Sequence, residues 1–192
     1  IEHGLDAAGV TRPGLDTMLE SLRTAADALD RADLAAAAAW LQAHRPEAEP
    51  VVVCHGDMHP FNLLVDDQGA TTVLDWSAAM LAPGTYDLGF TSLVVGSPPL
   101  VVPRALRPVI AAAGRALSRR FIRAYERAAG SPVDRASLAW HQGVVCVRAL
   151  VEVAGWVAAG TIAGRDGHPW VIAGDAFAAR LRGLTGVEVT PR

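Results

Sequence analysis

The sequence predicts an α+β fold that is mainly helical with a small β-hairpin layer. Three observations predict it. Apolar residues recur at i, i+3 and i+4 in long stretches on both sides of residues 51–76, the period of helices that bury one face. Within 51–76 lie short apolar runs instead: VVVC at 51–54, NLLV at 62–65 and TTVL at 71–74. The last two flank Asp66-Asp67-Gln68-Gly69, which is hairpin-turn chemistry.

Residues 14–44 read as helix, with Leu15, Met18, Leu19, Leu22, Ala25, Ala26 and Leu29 on one apolar face. Asp33 is placed to cap a second segment, 34–44, which Arg45-Pro46 ends. His44 reads as a last-turn cation on the helix dipole. VVVC has the β-branched composition of a buried strand, and it leads into His55-Gly56-Asp57, a loop that Pro60 keeps out of a helix interior. Ala82-Pro83-Gly84 reads as a turn, 86–95 as a short helix and 96–99 as a loop. Residues 107–129 form a helix with Arg115, Arg119, Arg123 and Arg127 on one face. That face reads as solvated, with an anion-binding surface as the alternative. Ser131-Pro132 reads as the N-cap and first position of a long helix to about 159. Its Ala139, Gly143, Cys146, Val147, Leu150, Val153, Ala154 and Val157 read as core, and a last helix spans 170–184 after His168-Pro169.

Composition narrows the class. A chain of 192 residues makes one domain with a sizeable core, or a large lobe of a bigger one. The apolar fraction of 51% gives no sign of disorder. The longest apolar run, 144–159, is broken by Arg148 and Glu152, so no membrane span is expected, and no signal peptide opens the sequence. Cys54 and Cys146 read as two core thiols rather than a disulfide, and a cytoplasmic protein is the expectation. Up to Phe90 there are 14 acidic residues and 4 arginines; beyond it there are 6 and 13.

The chemistry concentrates between 55 and 75. The hairpin puts Asn62 at its opening and Asp75 at its exit, so Asp57, Asn62 and Asp75 can converge at one edge of a small sheet. Two carboxylates and a carboxamide are hard oxygen donors suited to magnesium, with room for water and phosphate oxygens. His55-x-Asp57, four residues to Asn62, then thirteen positions to Asp75 matches the kinase pattern H-x-D-x-x-x-x-N followed by a metal-binding Asp.

With His55-Gly56-Asp57-Met58-His59-Pro60-Phe61-Asn62-Leu63-Leu64, then Leu74-Asp75-Trp76, then Gly84-Thr85-Tyr86-Asp87-Leu88-Gly89, the chain resembles the aminoglycoside phosphotransferase and choline kinase-like family. The motifs cover about 40 residues. The resemblance implies a protein kinase-like C-terminal lobe whose hairpin layer carries the catalytic loop. It implies an ATP- and magnesium-dependent phosphotransferase acting on a hydroxyl of a small molecule, with ATP or another nucleoside triphosphate as donor. It makes Asp57 the catalytic base and Asn62 and Asp75 the magnesium and nucleotide ligands, with Asp87 anchoring the loop and His55 supporting it. Trp76-Ser77 stands where protein kinases have Phe-Gly.

All 17 basic residues are arginine, and residues 1–50 hold no Gly-rich loop, so the phosphate-gripping Lys of such kinases has no counterpart here. The expectation is that 1–192 is the C-terminal, catalytic and substrate-binding lobe, with the nucleotide-clamping lobe outside it. The basic second half disfavours a polycationic aminoglycoside and favours a neutral or anionic hydroxyl compound. No nucleic acid or membrane partner is expected; apolar groups uncovered at the cleft make a homodimer possible. Two rivals remain: a non-catalytic kinase-like binding or regulatory module, and a metallophosphoesterase opening with Asp57-Met58-His59, which lacks that family's later segments.

Overall fold

The structure is a computed structural model, and it describes residues 14–192. Its axis is α5 (Arg135–Ala158), an apolar helix buried nearly all round: Val144, Val145, Cys146, Val147, Ala149 and Leu150 have no exposed surface. Four helices pack on it: α1 (Leu15–Ala28), α2 (Ala32–Ala43), α3 (Thr85–Gly96) and α6 (Pro169–Thr185). α2 is mostly alanine, and Ala35, Ala37 and Ala38 let its backbone sit close between α1 and α5. Trp140 Nε1 on α5 donates to the Leu41 carbonyl at 2.9 Å, closing that contact. α4 (Arg107–Ala129) packs on the outer side of α3 through a smaller cluster of Leu88, Ile122, Val133 and Leu138. No helix among the described residues is long and apolar enough to cross a membrane.

The strands form two antiparallel ribbons rather than one sheet. β1 (Val51–Cys54) pairs with β4 (Met80–Pro83), with Val51 opposite Pro83 and Cys54 opposite Met80. β2 (Leu63–Val65) pairs with β3 (Thr71–Val73) as the expected hairpin. Asp66 builds its turn: Oδ1 accepts from the Gln68 and Ala70 amides, and Gly69 takes φ 82°.

The structure corrects several expectations. Ala82-Pro83 ends β4 instead of making a turn; at the strand's last position Pro83 removes no donor that the ladder needs. β1 is not a buried strand, since Val51, Val52 and Val53 are 57%, 37% and 39% exposed and only Cys54 is covered. The β-branched composition signals strand, but burial depends on what packs over it. Asp33 lies inside the first turn of α2 behind Arg31, and it pairs with Arg31 besides accepting from the Leu34 amide. The long helix starts after Asp134, whose carboxylate accepts from the Ala136 and Ser137 amides. A two-amide cap outcompetes Ser131-Pro132, which stays in the connecting loop. Val157 is exposed, at the end of α5 beyond its helical neighbours.

Asp33 also ties the start of α2 to the segment after α6, accepting from the Thr190 amide while Arg31 donates to the Thr190 carbonyl. Burial alone would raise its carboxyl, but the Arg31 hydrogen bonds, the Thr190 amide and the Leu34 amide together hold it at about 2. A depressed folded value stabilises the fold above the ordinary carboxylate range, and that contribution is lost as pH falls toward about 2. Urea midpoints measured from pH 5 to pH 2 should fall more steeply for the native chain than for Asp33→Asn.

Candidate active site

The loop after β1 is held from three sides. Asp87, in the first turn of α3 where a carboxylate suits the helix dipole, accepts the His55 amide on Oδ2 at 2.6 Å and the Gly56 amide on Oδ1 at 2.8 Å. Gly56 takes φ 80°, and a Cβ there would come 2.1 Å from the Ala78 carbonyl oxygen, so neither space nor dihedral admits a side chain. Arg148 reaches out of α5 and donates from Nη1 to the Gly56 carbonyl at 3.1 Å and to the Tyr86 hydroxyl at 3.2 Å. Thr91 on α3 donates its hydroxyl to the Met58 carbonyl at 2.7 Å.

His55 is buried. Its Nε2 donates to the Leu74 carbonyl at 2.7 Å, while Nδ1 accepts the Asp57 amide at 3.2 Å. One imidazole thus joins the loop to the hairpin's exit strand. Asn62 makes the matching link: its Nδ2 donates to the Asp57 carbonyl at 2.9 Å, and its own carbonyl accepts the Leu74 amide at 2.9 Å. Asp57, Asn62 and the residue before Asp75 are therefore joined through His55 and Asn62.

Asp75 takes the left-handed conformation, φ 55° and ψ 70°, and its Oδ1 accepts the Ser77 hydroxyl at 2.6 Å. The Ser77 hydroxyl and amide hold this exposed carboxyl below its ordinary range, with the His55 and His59 rings adding to the effect. The Asp57 carboxylate stands 3.5 Å from His59 Nε2, and the His59 Nδ1 is buried with no partner among the described residues. Burial, with the Asp87 charge nearby, pushes the Cys54 thiol up to about 12, which leaves it a protonated core group.

The donor set fits a magnesium ion. The Asn62 amide spends its nitrogen on the protein, so its oxygen is the end left for a ligand, and Asp75 Oδ2 has no hydrogen-bond partner among the described residues. Two such oxygens suffice for an ion that keeps waters and takes phosphate oxygens. Among the described residues no group of three or more His, Cys, Asp and Glu is gathered as a binuclear hydrolase would require.

Asp57 opens into a pocket of about 310 Å³. His59, Phe61, Phe90 and Trp170 give it aromatic walls, and Arg148 and Glu152 on α5 give it charge. On the other side of His59-Pro60 runs a wider groove of about 570 Å³, lined by Val52, Val53, Leu63, Leu117, Phe121 and Tyr125 among others. Arg148, Glu152, Thr91 and Trp170 were not signalled as site residues by motif. Their signal was indirect, since Arg148 and Glu152 interrupt an otherwise apolar helix. The arginines that make the second half basic lie elsewhere, with Arg115, Arg119, Arg120, Arg123 and Arg127 exposed on α4.

The phosphotransferase enzyme family (APH) matches residues 11–141, more than half of the chain and all three motifs. The chain belongs to this family. Its fold is similar to the crystal structure of a "putative aminoglycoside phosphotransferase" from Ralstonia eutropha JMP134, with a TM-score of 0.66 at 17% identity. That likeness covers 96% of this chain and 60% of the other, and it supports the kinase-like, mainly helical fold class. Among curated proteins no match is found.

Asp87→Ala leaves the His55 and Gly56 amides without their acceptor in a part-buried setting, a loss of ~1–3 kcal/mol. Denaturant unfolding should read that loss, and hydrogen exchange should accelerate at the His55 and Gly56 amides more than in α5.

Proposed function

We propose that this chain is the catalytic and acceptor-binding lobe of a kinase-like phosphotransferase. In the full-length protein it moves the γ-phosphoryl group of ATP, or of another nucleoside triphosphate, to a hydroxyl of a small molecule. The same reading assigns the nucleotide clamp to a lobe outside these 192 residues. The observation that carries it is the tethering of the Asp57 loop, by Asp87 from α3 and by Asn62 from the hairpin, beside a pocket of substrate size.

In this reading Asp57 orients the acceptor hydroxyl and takes its proton as the oxygen bonds to phosphorus and the bridging P–O bond breaks. Asn62 and Asp75 would hold magnesium, which supplies charge neutralisation on the phosphates. Asp87 and His55 touch no substrate; they keep the loop from shifting by the fraction of an ångström that would spoil alignment. Phe90 and Trp170 give the acceptor an apolar wall.

Asp57→Ala in the full-length protein should lower kcat roughly 10²–10⁴-fold and leave nucleotide affinity nearly intact. Asp75→Ala should remove the magnesium dependence of nucleotide binding. Wild-type turnover from Asp57→Ala would reject the base assignment.

The exposed apolar side chains of Val51, Val53, Phe61, Leu64 and Val65, on and beside the ribbons, support self-association of the isolated chain. Light scattering at matched concentrations should show more association for the native chain than for Leu64→Thr/Val65→Thr, and a monodisperse monomer would count against it.

A further inference from the structure

The wall that α5 gives the Asp57 pocket keeps apart two charges that a helix surface ordinarily brings together. Arg148 and Glu152 stand four apart on one face of α5, a spacing at which opposite charges close onto each other. No ion pair joins them among the described residues, because each is drawn aside. Arg148 Nη1 is held by the Gly56 carbonyl and the Tyr86 hydroxyl. Glu152 Oε2 accepts the indole N–H of Trp170 at 3.1 Å. Among the described residues the rest of the guanidinium fork and the second Glu152 oxygen have no hydrogen-bond partner, and both residues line the same pocket of about 310 Å³.

We propose that the acceptor is a zwitterionic alcohol, a compact hydroxyl compound whose anionic group rests on Arg148 and whose ammonium rests on Glu152 against Trp170. The proposal deepens the phosphotransferase reading and rests on it. An ammonium on the free Glu152 oxygen meets a countercharge beside the Trp170 ring that holds the other oxygen. A carboxylate or similar anion meets a planar fork that it can accept from twice. Arg148 braces Gly56, one residue before Asp57, so a hydroxyl close to the ligand's anion falls beside the Asp57 carboxylate. The other groups on the pocket do not upset the balance. His168 caps α6 through Nδ1, and burial lowers its affinity for a proton, so it adds no cation near neutral pH. His59 faces Asp57. A polycation would find two carboxylates and a fixed arginine, and a plain sugar would leave the Arg148 and Glu152 charges without a countercharge from the ligand.

The reaction balances without further reagents. The hydroxyl oxygen forms the bond to the γ-phosphorus, the bond from that phosphorus to the bridging oxygen breaks, and the hydroxyl proton passes to Asp57. The products are the phosphorylated zwitterion and a nucleoside diphosphate.

Two matched series test it with the full-length protein. One comprises serine, ethanolamine, 3-hydroxypropionate and ethanol. The other, fitted to the aromatic walls, comprises 3-phenylserine, 2-amino-1-phenylethanol, 3-hydroxy-3-phenylpropionate and 1-phenylethanol. Transfer from γ-labelled ATP and calorimetric binding without nucleotide are both read. In at least one series the zwitterion should exceed each relative by tenfold or more in kcat/KM. Glu152→Gln should raise KM for the zwitterion tenfold or more, while KM for ATP and use of the amine-free acid stay unchanged. A relative that serves as well as the zwitterion in both series, or an unchanged KM in Glu152→Gln, overturns the proposal and leaves phosphoryl transfer standing. Absence of transfer together with absence of Mg-ATP binding fails the phosphotransferase reading instead. Calorimetry then decides the pocket: zwitterion binding that Glu152→Gln weakens tenfold upholds it, and no binding overturns it.

Discussion

The site depends on one carboxylate shared between two backbone amides. Asp87 accepts from His55 and Gly56 at once, and both amides belong to a turn whose glycine has no room for a side chain. Neither amide can find a ladder partner, because β1 ends at Cys54. A part-buried N–H without an acceptor is costly, so the loop conformation and the position of α3 are set together. Everything the loop carries inherits that arrangement. His55 can reach the Leu74 carbonyl, Arg148 can reach the Gly56 carbonyl, and the Asp57 side chain opens into the pocket because the turn before it is fixed.

Much of this was readable in the residues. Apolar spacing marked α1 and α5, arginine spacing marked α4, and turn and proline signals marked α3 and α6, to within a residue or two at most ends, while Asp66 with Gly69 marked the hairpin turn. Asp87 was readable only through the resemblance, since nothing local tells that a carboxylate in the first turn of a helix reaches back 32 residues. The cap at Asp134 was missed because Ser131-Pro132 offered a plausible local start, and the choice between them is made by which oxygen finds two amides. Exposure of β1 was invisible because composition reports strand preference and not what lies above it. The charge argument was misdirected for a related reason. A half-chain total counts arginines wherever they fall, and most of those beyond Phe90 do not line the Asp57 pocket, where Arg148 is the one arginine among the lining residues.

The division of the pocket has its own logic. The family match ends at residue 141, so it contains Asp57, Asn62, Asp75 and Asp87 but stops before Arg148, Glu152 and Trp170. The Asp57 wall of the pocket lies within the matched residues, while the opposite wall belongs to the second part of α5 and the start of α6. A fold can keep one chemistry and change its acceptor when the two tasks are written on different elements.

The two ribbons also differ in what they are fastened to. The Asp57 loop is hydrogen-bonded to α3 and α5, the two helices nearest the middle of the core, whereas the β2–β3 hairpin lies largely in solvent and is tied back through His55, Asn62 and the Leu74 backbone. Mechanically the hairpin is a cantilever on a rigid mount. Bending of it would reach Asn62 and Asp75, at its two ends, before it reached Asp57, so the stiffness of those few tethers sets how sharply the distance between the two halves of the candidate site is defined.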